Sequence, residues 1–398
     1  MNQPKGLTAG THQYRMAVAA LLCAGLATFN SLYTTQALMP RLVQEFSVSP
    51  SLAALTLSAA TGALSLAVVP ASVLSEKIGR GRMLVGSAIL ATVVGLMVPL
   101  ATSISMLIVL RALQGVFIAG VPAVAMTWLS EEITPKDLTK AMGLYIAGTS
   151  VGGISGRLIP SVALTWVSWQ TALVLSATFA LLAAVLMAVL LPAQRNFTPH
   201  RVTFTGEFRA MLTHLRTLPL LLMFASAFLC MGVFVSLYNF VGFRLIHHFG
   251  LDDAHVGLLF LLYLFGTLSS TLAGRANSRF GHGITATAGS ILMVIGLALT
   301  MGSIISLTMG LVIFTAAFFL VHSTASAAVG LLALTHRAEA ASMYVFNYYM
   351  GSSILGWVSS FIFDAFSWYG FTAWLMGWTT LLVGCCIATL ILWPKPTR

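Results

Sequence analysis

Ser72-Val-Leu-Ser-Glu-Lys-Ile-Gly-Arg-Gly-Arg82 and Gly274-Arg-Ala-Asn-Ser-Arg-Phe-Gly-His282 are two short charged stretches, each bounded by long apolar runs. Gly79 and Gly281 stand 202 positions apart, as do Lys77 and Arg279. That offset is close to half of the 398 residues, as an internal duplication requires. Two more echoes fall in order. Gly148-Thr-Ser-Val-Gly152-Gly153 returns as Gly351-Ser-Ser-Ile-Leu-Gly356 at an offset of 203, and Ser168-Trp169 returns as Ser367-Trp368 at 199. Three matches in sequence order point to a two-fold repeat.

Outward from these stretches the chain is almost entirely apolar. Apolar residues make up 58% of it and charged residues only 8%, against about 25% charged in soluble domains. So few charges cannot cover a water-facing surface, which excludes soluble, disordered and disulfide-scaffold classes. Cys23, Cys230, Cys385 and Cys386 lie within apolar segments with no metal-ligand spacing. No metal and no cofactor is expected.

A bilayer core of about 30 Å needs roughly 20 apolar residues per helix. Segments of that kind fall near 16–39, 51–74, 83–101, 105–128, 141–162 and 168–191, then near 218–241, 256–273, 284–303, 306–333, 341–363 and 370–392. The expected fold is therefore all-α and membrane-integral, with twelve transmembrane helices in two pseudo-symmetric six-helix halves. The halves run 1–191 and 217–398, and a polar linker, 192–216, joins them. The linker contains Pro199 and an amphipathic piece around Phe208–Leu215 suited to the membrane surface.

With the N-terminus in the cytoplasm, sixteen lysines and arginines fall on that side, from Lys5 and Arg15 through Arg201 to Lys395 and Arg398. Only Arg41 and Arg244 fall opposite, and Arg111 and Arg157 lie within spans. The positive-inside rule then places both termini in the cytoplasm. The net charge of +10 is a topology device and not a nucleic-acid footprint.

The turn Glu76–Arg82 resembles the signature loop of the major facilitator superfamily. Arg111-Ala-Leu-Gln114-Gly115 resembles that superfamily's second motif, and Gly148-x3-Gly152-Gly153-x2-Gly156 its antiporter motif. The strings Ser130-Glu-Glu-Ile133, Met142-Gly-Leu-Tyr-Ile146, Gly152-Gly-Ile-Ser-Gly-Arg157, His322-Ser323 and Tyr348-Tyr-Met-Gly-Ser-Ser353 are similar to the YnfM-type branch of bacterial inner-membrane drug and metabolite exporters. Glu76 replaces the usual Asp, Lys77 the usual Arg, and Arg157 stands where the antiporter motif has Pro.

The resemblance implies a multi-pass secondary transporter of the bacterial inner membrane, monomeric, with a small-molecule substrate and protons as coupling ion. Repeated six-helix halves place a substrate site near the midplane between them. Glu76, Lys77, Gly79, Arg80 and Arg82 are then a conformational latch, in which the carboxylate meets the N-terminal end of a helix in the other half. Positive-inside anchoring alone is the alternative.

Arg111 with Gln114, Arg157, His322 and Asp364 are candidates for coupling or for the cavity wall. An arginine at a helix centre costs about 2.5–3.5 kcal/mol on insertion scales, so one kept there calls for a partner or a role. The alternatives are snorkelling for the arginines, a carbonyl partner for His322 and capping for Asp364. Gly148, Gly152, Gly153 and Gly156 form a close-packing stripe, with Gly266, Ser270 and Ala273 of the eighth span as the expected partner face. Asn30, Tyr33, Gln36, Tyr238, Asn239, Tyr263, Asn347 and Tyr348 are candidate cavity residues.

No Asp or Glu falls in the middle of a span. The expected activity is proton-driven export of a small apolar or amphipathic, neutral or anionic compound. A sugar or amino-acid exporter and a receptor without flux are the alternatives. Intramembrane-protease and ATPase motifs are absent from the sequence, so no enzyme is expected.

Overall fold

The computed structural model describes residues 6–197 and 204–393. Lys5, Pro199, His200, Arg201, Lys395 and Arg398 lie outside the described residues. The described residues are predominantly helical. In the first part α1 is His12–Tyr33, α2 Pro50–Ile78, α3 Arg80–Leu100, α4 Ile104–Glu132, α5 Pro135–Ala163 and α6 Trp169–Leu190. In the second part α7 is Leu218–His247, α8 Asp253–Phe280, α9 His282–Leu299 and α10 Ile304–Leu332. The last helical stretch, Arg337–Leu392, breaks at Ser367 (φ 58°, ψ −166°). It is thus two helices, α11 (337–366) and α12 (368–392). Short helices Met39–Phe46 and Phe204–Thr213 lie between.

Ten helical stretches among the described residues are long and apolar enough to cross a membrane, the Ser367-broken stretch counted as one. The twelfth expected span is α5, whose 29 residues suffice in length. Its glycines, its serines and Arg157 keep it less apolar than the others. Outward-facing side chains such as Leu182, Val189, Ile305 and Ile391 are apolar, whereas Thr28, Asn30, Gln36, Arg111, Gln114 and Arg157 are buried. This inverted distribution suits a lipid surround. Helix starts follow local chemistry: Thr11, Ser103, Ser168 and Ser303 each accept a hydrogen bond from a backbone N–H of the first turn.

The repeat is visible in backbone geometry. Gly79 (φ 94°, ψ 141°) separates α2 from α3, and Gly281 (φ 84°, ψ 156°) separates α8 from α9. Side-chain-bearing residues rarely adopt such φ values, so both turns need glycine. Gly79 N–H donates to Ser75 O and Gly281 N–H to Asn277 O, both at 2.9 Å. Met83 and Thr285 then donate back to the two glycine carbonyls, both at 3.1 Å.

Two compact units form. The first comprises Met1–Phe46, Ala59–Gly206 and Asp253–Leu258; the second comprises Ser47–Ser58, Glu207–Asp252 and Leu259–Arg398. Lipid tails are as apolar as leucine, so close backbone approach must hold helices together. In the first unit α5 lies directly on α1. A Cβ added at Gly148, Gly152 or Gly156 would fall 2.2, 2.6 or 2.4 Å from the carbonyl oxygen of Leu22, Leu26 or Asn30. Both rows advance by four residues, so the two helices stay in register. The partner of the glycine stripe is therefore α1, a correction to the eighth-span face expected above. Gly266 itself packs on Phe319. The second unit repeats the device, with Gly351 of α11 seated against the Phe228 carbonyl of α7.

Candidate functional site

Three clusters gather most of the candidate residues. The first surrounds the α2–α3 turn. Arg80 is buried, and its guanidinium meets Glu76 at 2.6 Å and Glu131, at the end of α4, at 2.7 Å. Arg80 also reaches Ser75 Oγ at 3.4 Å. Gln194 closes the cluster: its amide nitrogen donates to Glu131 at 3.1 Å, and its amide oxygen accepts from Gly81 N–H at 3.1 Å. The adjoining Glu132 carboxylate accepts the Arg195 and Asn196 N–H groups, each at 2.8 Å. Lys77 and Arg82 are exposed. Glu131, Glu132 and Gln194 carry no signal as site residues in the sequence, because 51 or more residues separate them from their partners in this cluster.

One residue beyond, the chain pairs with its own beginning. Leu7 N–H donates to Glu132 O at 2.7 Å, and Ala9 N–H donates to the Asp137 carboxylate at 2.9 Å. The Ala9 N–H, with Thr134 Oγ1 and the nearby Lys136 and Lys140, holds the Asp137 carboxyl below the usual carboxylate range. Asp137 lies ahead of the apolar part of α5.

The second cluster grips the C-terminal turn of α1. Arg111 on α4 is fully buried and donates to the carbonyls of Ser31 (2.7 Å) and Leu32 and to Gln114 Oε1. Gln114 Nε2 in turn donates to Ala91 O at 3.0 Å. The last carbonyls of a helix lack intrahelical donors, and a cation at that end opposes the macrodipole. Hydrogen bonds to a charged group contribute about 1.5–3 kcal/mol each, so several together offset an insertion cost of about 3 kcal/mol.

Arg157 on α5 holds the same end of α1 from another side. It donates to Gln36 Oε1 at 2.6 Å and Gly153 O at 2.7 Å, and its guanidinium carbon lies 3.8 Å from the centre of the Tyr33 ring. A Cβ at Gly153 would come within 3.2 Å of that guanidinium, so the glycine makes the room. The Asn30 amide spans Ser155 and Ser176, with both hydroxyls 3.0 Å away. Asn30, Tyr33, Gln36, Arg111, Gln114 and Arg157 are thus all buried around the C-terminal end of α1.

The third cluster lies in the second unit. His322 on α10 is half-buried, with Nδ1 2.9 Å from the Tyr344 hydroxyl. Its ring centre lies 6.0 Å from Phe318 and 4.6 Å from Tyr348. Ser323 donates to Ser270 at 3.1 Å and Thr324 to Asn277 at 3.0 Å, which ties α10 to α8. Phe318 stacks on Phe234, with ring centres 3.7 Å apart, and Phe234 continues to Tyr238 and Tyr263. Tyr238 meets Thr315 Oγ1 at 2.5 Å, and Tyr238, Asn239 and Tyr263 are buried. Asn347, which donates to Met343 O at 2.8 Å, is half-buried, and so is Tyr348 beside His322. Asp364, exposed near the end of α11, joins none of the three clusters.

Paired repeats of membrane-crossing helices, with polar networks buried inside and apolar side chains outside, define a multi-pass membrane transporter. The chain belongs to the Major Facilitator Superfamily, whose family model matches residues 21–245. It is 40% identical over 379 residues to the inner membrane transport protein YnfM of Escherichia coli (strain K12), covering 94% of this chain and 91% of that protein. It is 34% identical over 363 residues to the MFS-type transporter YybF of Bacillus subtilis (strain 168), covering 91% and 90%. The fold is similar to that of a bacterial homologue of the human lysosomal transporter Spinster. The TM-score is 0.81 at 14% identity, over 98% of this chain and all of the other.

Proposed function

We infer that this transporter exports a small apolar or amphipathic, neutral or anionic compound in exchange for protons, by alternating access. The proposed moving parts are the halves 1–191 and 217–398, with both termini on the cytoplasmic face of a bacterial inner membrane. The setting of His322 carries the reading. Proton exchange needs a group that gains and loses a proton near physiological pH, and histidine is the side chain that ordinarily does so. A guanidinium stays charged in proteins, and the carboxylates of the described residues lie in loops or near helix ends. Among the described histidines, His322 is the one placed within a span away from both ends, and it keeps partial exposure beside Tyr348.

Export is favoured by the likeness of the Gly148–Gly156 stripe to the antiporter motif. A neutral or anionic substrate suits the buried Arg111 and Arg157 and the lack of a mid-span carboxylate among the described residues. The test uses inverted vesicles and a compound found by ligand-dependent thermal shift. His322→Gln should retain counterflow but lose accumulation driven by an imposed pH gradient. Accumulation as steep as in the wild type would reduce His322 to a packing residue.

A further inference from the structure

Phe318 precedes His322 by one turn on α10, and Tyr344 precedes Tyr348 by one turn on α11, so each helix presents a row of rings on one face. The rows meet around the imidazole. Its plane is nearly parallel to Phe318 (5°) and tilted against Tyr348 (38°). On one edge stands the Tyr344 hydroxyl, 2.9 Å from Nδ1. The same hydroxyl donates to the His322 backbone carbonyl at 3.2 Å.

A phenol has one proton to donate and lone pairs to accept. Once that proton is directed to the carbonyl, the hydroxyl can only accept from Nδ1. Nδ1 must then carry the hydrogen, and in the neutral ring Nε2 holds the bare lone pair. Among the described residues Nε2 has no hydrogen-bond partner, whereas Nδ1 is engaged. Tyr344→Phe would keep the ring contact, 5.7 Å between centres, and remove only the hydroxyl.

We propose that Tyr344 is a positioning residue: it holds His322 as the Nδ1–H tautomer, so that Nε2 is the nitrogen that takes up the transported proton. The role in transport rests on the reading of His322 as the coupling group; the tautomer does not. The test is nitrogen NMR of full-length protein in bilayers, labelled with 15N-histidine, at a pH where the ring is neutral. His322 is assigned by subtraction of the His322→Gln spectrum.

The wild type should show a protonated Nδ1 and a bare Nε2, and Tyr344→Phe should lose that preference. Tyr344→Phe should also lose most gradient-driven accumulation while counterflow remains. A wild-type ring protonated at Nε2 would overturn the proposal, and so would an Nδ1–H tautomer that persists in Tyr344→Phe. Should Tyr344→Phe fail to fold, the wild-type spectrum alone decides. If His322→Gln still concentrates substrate, the coupling reading fails while the tautomer result stands on its own.

Discussion

Gly148→Ala isolates the contact on which the first unit is built. The new Cβ would sit 2.2 Å from the Leu22 carbonyl oxygen, where an unstrained carbon–oxygen contact needs about 3.3 Å. Helices α1 and α5 would therefore part locally by about 1 Å. A gap of that size forfeits about a quarter to a half of each dispersion contact it opens, and overpacking of this kind costs about 1–3 kcal/mol. Alanine's better helix propensity works the other way by up to about 1 kcal/mol. Gly143 on the same helix supplies the control, because a Cβ there meets nothing within 4 Å. Propensity cancels between the two variants, so Gly148→Ala should unfold about 1–3 kcal/mol more easily than Gly143→Ala. The assay is denaturant titration of both proteins in mixed micelles, followed by tryptophan fluorescence. Equal stability would refute the claim that backbone contact along this stripe holds the pair together.

Arg111→Lys should behave almost as badly as Arg111→Ala in thermal stability and transport, because one ammonium cannot reproduce a planar fork spread over Ser31, Leu32 and Gln114; wild-type behaviour in Lys would show that charge alone suffices. Glu131→Gln should weaken the Arg80 cluster at least as much as Glu76→Gln, since Glu131 also receives Gln194. The readout is cysteine accessibility on the two faces of the membrane, and unchanged labelling in both variants would leave the α2–α3 turn an anchor only. Asp137 has a depressed folded pKa, chiefly through the Ala9 N–H. Its contribution is present above its unfolded value, about 3.9, and is lost as pH falls below that through the folded value. Asp137→Asn should therefore melt lower than the wild type near pH 6, and the gap should begin to close only once pH falls below about 4.

The fold was legible because the bilayer forces it. Twelve apolar runs of adequate length, and a charged turn recurring around Gly79 and Gly281, carry the helix count and the repeat. Even the positive φ at both glycines follows from their place in that turn. Pairing between distant helices was not legible. The stripe at Gly148, Gly152 and Gly156 announces a close neighbour but does not say which, since small residues recur on several helices. Its answer lies in the backbone carbonyls of Leu22, Leu26 and Asn30, which carry no residue-type signal at all. The same holds for Arg111, whose partners include the Ser31 and Leu32 carbonyls about 80 positions away. Gln114 was visible because i and i+3 share a helix face. Glu131, seen in the sequence only within the string Ser130–Ile133, and Tyr344, an ordinary residue of a helix face, gain a place in the site only through their approach to Arg80 and His322.

The central claim is that flux of a small molecule is tied to a proton carried at His322. Proteoliposomes loaded with a pH-sensitive dye test it most directly, with proton movement and substrate counterflow read from the same preparation. Addition of substrate should move protons across the wild-type membrane against substrate flow, and His322→Gln should show substrate exchange at a similar rate with no proton movement. Proton movement of equal size in the variant, or none in a wild type that exchanges substrate, would contradict it.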